Sequence, residues 1–328
     1  MTVKQKIKKL LEEFNELSVN EIVNKISVSN QMVHLALKQL LDSNEIVKLG
    51  ASPKTIYRKI DAIQTVTKVD NKNISEEELT FLQKNFLLVT DIGNLVEGIE
   101  AFTYWCKQRN LPLEKTIKEF ILTKNKYETY YNKARIIDGT EKLKNTKEYK
   151  TIWLNKLYYL DFYAIERFGK TRLGTLLHYA KQGQNKFLMN IMMQEIDVKL
   201  KSFIEENNID AVAFVPPTIR REVQIMKFMQ QKLNLNLPHI DIQKISGIIP
   251  IPQKSLSKMN ERIRNAENTF AVVDNRQFKH VLLIDDAVGS GSTLNQIAEK
   301  IKNKNVSKKV TGIAVVGSFK GFDVITDV

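Results

Sequence analysis

The stretch HVLLIDDAVGSGSTL, His280 to Leu294, constrains the fold more than any other part of the chain. Four apolar residues run into two adjacent carboxylates, a Gly/Ser/Thr turn follows, and STLNQIAEKIKNKN then reads as a helix. A short apolar run closed by a turn and a helix is the local pattern of a buried strand. The same alternation surrounds it. IDAVAFVPP reads as a buried strand ending in a tight turn, TIRREVQIMKFMQQKLN as a helix, and HIDIQKI and KVTGIAVVGSF as strands. Such alternation implies an α/β fold, a mostly parallel sheet with helices on both faces. Ligands of these sheets sit beyond the carboxyl ends of the strands. The loops after Val215 and after Ile284 are expected there.

The second of these loops has the chemistry of a phosphate holder. Gly289 and Gly291 let the backbone approach a ligand and take unusual dihedrals. Ser290, Ser292 and Thr293 add hydroxyl donors, and a helix starting near Ser292 supplies unpaired N–H groups and a positive dipole end. Two common phosphate loops are excluded: no Lys precedes the Ser/Thr, and position 294 is Leu where a dinucleotide loop needs Gly. Asp285 and Asp286 would repel a bare phosphate, so they are expected to face vicinal hydroxyls or a hydrated cation. A ribose 5-phosphate offers both ends, its phosphate for the loop and its hydroxyls for the carboxylates.

VLLIDDAVGSGSTL resembles the PRPP-binding motif of type I phosphoribosyltransferases: an apolar strand, two acids, small residues, Gly and Thr. QKSLSKMNERIRNAENTFAV, Gln253 to Val272, is similar to the segment that precedes this motif in ComF-type competence proteins. LGTLLHYAKQGQNK and VAFVPPTIRREVQ fall in the same order, and together these cover about residues 170 to 320. The resemblance implies a PRPP site with Mg2+ arriving alongside PRPP and no metal held by the protein alone. Asp285 and Asp286 become the catalytic pair, and Ala287, Val288, Gly289, Ser290, Gly291, Ser292 and Thr293 hold the 5-phosphate. Pro216, Pro217, Thr218, Arg220 and Arg221 lie by the pyrophosphate, where two Arg can bind it bidentately. Ser257, Arg262 and Asn265 belong to a hood closing over the site. The chain departs from the family in three ways. REVQ stands where ComF-type proteins usually have Arg-Gly-Phe-Asn-Gln, no Cys-rich zinc segment is present, and Gly289 stands where purine-salvage enzymes place an acidic base.

From about Trp153, YYLDFYAIERFGKTRLGTLLHYAKQGQNKFLMNIMMQEIDVKLKSFIEENN is expected to be helical, broken near Gly169 and Gly183. Before it, from Glu76 to about Lys150, the pattern reads as helical and basic. Leu113, Ile117, Phe120 and Ile121 share one face, and Tyr127, Tyr130 and Tyr131 alternate with Lys124, Lys126, Lys133 and Arg135. Aromatics mixed with cations can bind single strands; helix packing with a wet basic back is the favoured reading. From Tyr104 to Lys186 the chain has 18 Lys/Arg against 8 Asp/Glu, within an overall net charge of +13. That excess suits a polyanionic partner or a solvated surface equally.

The N-terminal residues, 1 to about 61, read as helix, short helix, longer helix and hairpin. The helices are VKQKIKKLLEEF, SVNEIVNKI capped by Ser18 with Glu21, and SVSNQMVHLALKQLLDSN capped by Ser27 or Ser29. EIVKLG and TIYRKI alternate as strands around ASPK. This order resembles a winged helix-turn-helix. On its third helix Val33, Leu37 and Leu40 face inward, while Ser29, Asn30, Gln31, His34 and Lys38 form a face for a DNA major groove. Lys48, Lys54 and Arg58 are placed to hold phosphates from the wing. Protein contact is the other use of such a unit.

The expected organisation is therefore a winged helix over 1–61, a linker and basic helical segment over 62–150, and a phosphoribosyltransferase-like domain over 151–328. The lone Cys106 excludes an internal disulfide, and the four histidines lack ligand spacing. No apolar run reaches a membrane span and no signal core precedes the first helix, so a cytoplasmic location without membrane contact is the expectation. Three functions fit. The first is a metabolite-responsive DNA-binding regulator, dimeric on a palindromic site; the second is an active phosphoribosyltransferase with unknown acceptor. The third is a ComF-like protein handling single strands in DNA uptake.

Overall fold

The computed structural model describes residues 1–43, 45–49, 55–59, 73–91, 93–145, 149–217, 219, 221–245 and 269–318. Thr218, Lys54, Arg220, Ser257, Arg262 and Asn265 lie outside the described residues. The chain forms two compact units, Met1–Thr65 and Val66–Val328.

The first unit runs α1 (Val3–Phe14), β1 (Glu16–Ser18), α2 (Val19–Ile26), α3 (Asn30–Asp42), β2 (Ile46–Leu49) and β3 (Ile56–Lys59). Reciprocal capping boxes start α1 (Thr2 with Gln5) and α2 (Ser18 with Glu21), pairing N–H groups that a helix end leaves open. Ser29 caps α3, whereas Ser27 closes α2 in a left-handed conformation. The three strands form an antiparallel sheet in the order β1-β3-β2. Ile7, Leu11, Ile22, Val33, Leu37, Leu40, Ile46 and Tyr57 fill one core beneath it.

The second unit begins with α4 (Glu76–Asn85), β4 (Leu87–Val89), β5 (Leu95–Glu97), α5 (Gly98–Lys107), α6 (Leu113–Glu128), β6 (Ile137–Asp138) and α7 (Thr140–Lys144). It continues with β7 (Lys156–Phe162), β8 (Ala164–Ile165), β9 (Gly169–Lys170), α8 (Arg172–Gln182), α9 (Lys186–Glu206), β10 (Ala211–Phe214) and α10 (Ile225–Leu233). Last come β11 (Ile242–Lys244), β12 (Phe270–Val272), β13 (His280–Val288), α11 (Ser292–Asn303) and β14 (Lys309–Gly317). A five-stranded sheet of order β10-β13-β14-β7-β6 organises the unit. Its first four strands are parallel and β6 is antiparallel. Both faces are covered, which is why the strands read as continuous apolar runs. Val281 and Leu283 enter one core with Leu82, Phe102, Phe120 and Ile297. Leu282 and Ile284, one residue out of phase, enter the other with Leu176, Met192 and Met229. No helix among the described residues is long and apolar enough to cross a membrane.

Four expectations change. The run from Tyr158 to Lys170 is not an α-helix: apart from one 3-10 turn at Glu166–Phe168 it is mostly strand, and β7 lies inside the sheet, with Tyr159 and Phe162 in one core and Leu160 in the other. Apolar residues on both faces removed the alternation that marks a strand. The segment from 76 to 150 is not a separate helical region. It contributes β6 to the main sheet, β4 and β5 form their own ribbon, and α4, α5 and α6 pack into the core shared with β13 and α11. The helix after the Pro-Pro turn starts only at Ile225, leaving Arg221 to Gln224 in a turn. HIDIQKI divides: His239 forms an isolated parallel bridge to Val212 of β10, whereas Ile242–Lys244, as β11, pairs antiparallel with β12.

Candidate functional site

Parallel pairing aligns the carboxyl ends of β10, β13, β14 and β7 along one edge of the sheet. At β13 the strand runs on past Ile284 to Val288, so Asp285 and Asp286 lie on the strand rather than in the loop. Asp285 pairs with Ala314 and Ala287 with Val316 on β14. Consecutive strand residues face opposite ways, and the two carboxylates have different surroundings. Asp286, only 6% exposed, forms an ion pair with the ammonium of Lys181 from the last turn of α8. Asp285 is half-buried, and its Oδ1 accepts the Asp286 N–H at 2.8 Å.

The turn after Val288 is built to hold α11 at a fixed place. Gly291 is the N-cap with φ of +84°. A Cβ there would stand 2.9 Å from Leu143 Cδ1, which can shift, so the left-handed dihedral is what calls for glycine. No side chain caps the helix. Ser290 Oγ accepts the Ser292 N–H at 3.3 Å and donates to Ser292 Oγ at 3.2 Å. From the other side, the Tyr149 hydroxyl donates to the Ser290 carbonyl at 3.2 Å. Asn295, fully buried one turn into α11, accepts the N–H groups of Trp153 and Leu154 and donates to the Thr151 carbonyl. Residues 149–154 thus clamp the loop and the helix start.

The loop residues divide by accessibility. Ala287, Gly289, Ser290 and Thr293 are half-buried, whereas Val288, Gly291 and Ser292 are buried. Val288 turns its side chain into the core, so it can offer a ligand only its backbone. The loop after β10 lies alongside, its first N–H, that of Val215, bonded to the Ile284 carbonyl at 2.9 Å. Pro217 and Arg221 are half-buried there. Arg221 Nη2 donates to Gln182 Oε1 at 3.2 Å, and the Val223 N–H donates to Gln184 Oε1 at 2.8 Å. Because Lys181 and Gln182 are consecutive, the end of α8 joins Asp286 to Arg221.

Lys181, Gln182, Tyr149 and Asn295 escaped the sequence reading. Lys181 and Gln182 leave a trace in the polar end, YAKQGQ, of α8; Tyr149 and Asn295 leave none. The expected Mg2+ does not fit the protein side of the site. The Asp286 carboxylate is enclosed and matched by Lys181, one oxygen of Asp285 is engaged by backbone, and no group of three or more His/Cys/Asp/Glu among the described residues is arranged to hold a metal. His280, four residues before the motif widens, is structural: it bonds the Asn207 carbonyl at 3.0 Å and Thr311 Oγ1 at 2.9 Å.

In the first unit, Val33, Ala36, Leu37 and Leu40 bury one side of α3, and Asn30, Gln31, His34 and Lys38 are exposed opposite them, beside the exposed cap Ser29. The outward stripe also holds Leu35, 60% exposed, and Met32, both absent from the sequence-based list. Lys48 is exposed on β2. Arg58 is committed elsewhere: on β3 it faces Glu16 of β1, and the pair forms a salt bridge at 2.5 Å. No protein-family model and no curated protein matches the chain.

Proposed function

We propose that the chain is a DNA-binding regulator whose first unit is a winged helix-turn-helix and whose second unit, of phosphoribosyltransferase type, binds PRPP or a related ribose-phosphate nucleotide. The observation that carries this reading is the α11 start: a helix opened by Gly291 in a left-handed conformation, with its first N–H on Ser290 Oγ and no side-chain hydrogen bond from the N-cap residue, directly follows a strand bearing a half-buried carboxylate. Helix N–H groups and dipole suit the phosphate, and Asp285 suits a ribose hydroxyl. The DNA half rests on the exposed polar face of α3, with Gln31, His34 and Lys38 outward over a buried back. Exposed Leu35 and Met32 suit thymine methyl groups in a major groove. Anisotropy of a labelled duplex pool, titrated with salt and with PRPP, tests both halves. Salt-dependent binding weakened by Asn30→Ala and Lys38→Ala is expected, the latter lowering the log–log salt slope by about 1. A shift in affinity on adding PRPP is expected for the wild type only, not for Asp285→Ala.

A second reading, an active phosphoribosyltransferase, is favoured by both motif acids standing at the strand end; it requires pyrophosphate release from PRPP that Asp286→Ala abolishes. The missing base at Gly289 weighs against it. For single-strand handling, which draws on the basic middle segment, Tyr130 stays exposed while it, Tyr127 and Tyr131 each make a T-shaped contact with Phe162.

A further inference from the structure

We infer that Lys181 takes the place of a divalent cation in this site, so that the site takes a ribose 5-phosphate or nucleoside 5′-monophosphate without metal. This rests on the ribose-phosphate reading of the same loop.

The argument starts from charge. A carboxylate as enclosed as Asp286 is costly to bury alone and must be matched by a positive group. A site that recruits a cation leaves such a carboxylate open for it. Here the match is supplied by the chain, through the Lys181 ammonium, whose own side chain is mostly buried. A divalent ion would have to break that pair to reach the Asp286 carboxylate.

Lys181 is also held in place by its helix. Thr171 caps α8, its Oγ1 accepting the Gly174 N–H at 3.1 Å and donating to the Phe162 carbonyl at 2.6 Å. At Gly174 a Cβ would lie 2.0 Å from the Tyr163 carbonyl oxygen, so α8 sits directly on the backbone that leaves β7. The helix end therefore delivers its ammonium to one position. The next residue, Gln182, accepts a hydrogen bond from Arg221, so the end of α8 pairs one cation with Asp286 and links to a second. Such a site is close to neutral before the ligand enters. A phosphate monoester then meets the α11 N–H groups and fixed positive charge, and needs no accompanying ion.

The test is calorimetry of ribose 5-phosphate, and separately PRPP, with the full chain in EDTA and in Mg2+. Ribose 5-phosphate binding by the wild type is expected to change less than about twofold between the two conditions. Lys181→Met is expected to lose about tenfold or more in EDTA, about 1.4 kcal/mol per decade, and to recover in Mg2+, because Asp286 is then free to take the ion. Lys181→Arg, which keeps the charge, retains metal-free binding. A purely structural lysine would not convert the site to metal dependence. If Lys181→Met does not fold by circular dichroism, Lys181→Met/Asp286→Asn removes both charges and carries the test, with metal-free binding about tenfold weaker. Wild-type binding that requires Mg2+ overturns the inference, as does wild-type affinity in the charge-removed variant in EDTA. Failure of both sugar phosphates to bind the wild type in either condition overturns the ribose-phosphate reading itself.

Discussion

Two adjacent aspartates with the same side chain differ here because a strand sends neighbours to opposite faces. Asp286 falls on the α8 side and is neutralised, while Asp285 stays at the half-buried edge. Gly291 shows the same dependence on position. Gly291→Ala combines a left-handed dihedral, which costs about 1–2 kcal/mol for a residue with a Cβ, with the contact to Leu143. Urea unfolding should place the variant at least that far below the wild type. His280 gives a pH signature. The Asn207 carbonyl can only accept, so Nδ1 carries the proton and Nε2 accepts from Thr311; burial lowers the ring's pKa below its ordinary value of 6.5. The unfolded chain then binds the extra proton first, so this residue's contribution to stability is intact above about pH 6.5 and is lost as pH falls through that value. Thermal melts between pH 7.5 and about 5.5 should fall more steeply for the wild type than for His280→Asn. At this scale the sequence was half legible. It announced carboxylates, glycines and hydroxyls in one loop. It did not announce Lys181, because an ion pair between residues 105 positions apart leaves no local pattern.

Elements were legible where one face is wet. The capping boxes at Ser18 and the 3.6-residue spacing of α3 gave the first unit its helices to within a residue or two. The same face logic predicts opposite outcomes for two leucines of α3. Leu37→Ala, in the core, should lower stability by about 2–5 kcal/mol, whereas exposed Leu35→Ala should leave stability within about 0.5 kcal/mol yet weaken duplex binding several-fold. Denaturant melts and anisotropy on the same two proteins separate the effects; equal loss of stability in both would place Leu35 in an interface. Where both faces are dry, the spacing failed. KLYYLDF has aromatic and apolar residues on every side, and only its partner strand β14 reveals it as β7. β13 runs two residues past HVLLIDD, to Val288, a length the sequence hides because Ala287 and Val288 directly before Gly289 look like the start of the loop.

At the scale of the molecule, the expected boundary near residue 61 lies close to the division at Thr65, but the one near 150 is not present because the core ignores it. Separate cores imply separate melting. Calorimetry of the full chain should resolve two transitions, and ribose 5-phosphate at about one hundred times its Kd should raise only that of residues 66–328, by about 2.7 kcal/mol of stability. A single transition shifting as one would contradict that independence. Sheet order has a last consequence, for the ribosome. β14 is synthesised after both β13 and β7, yet it stands between them. The first unit can fold while the rest is still being translated. The second has no joined sheet until Lys309–Gly317 emerge. A message truncated shortly before that strand would therefore release a folded first unit without an assembled sheet, which on the proposed reading is a fragment that has lost its ligand response rather than a weakened protein.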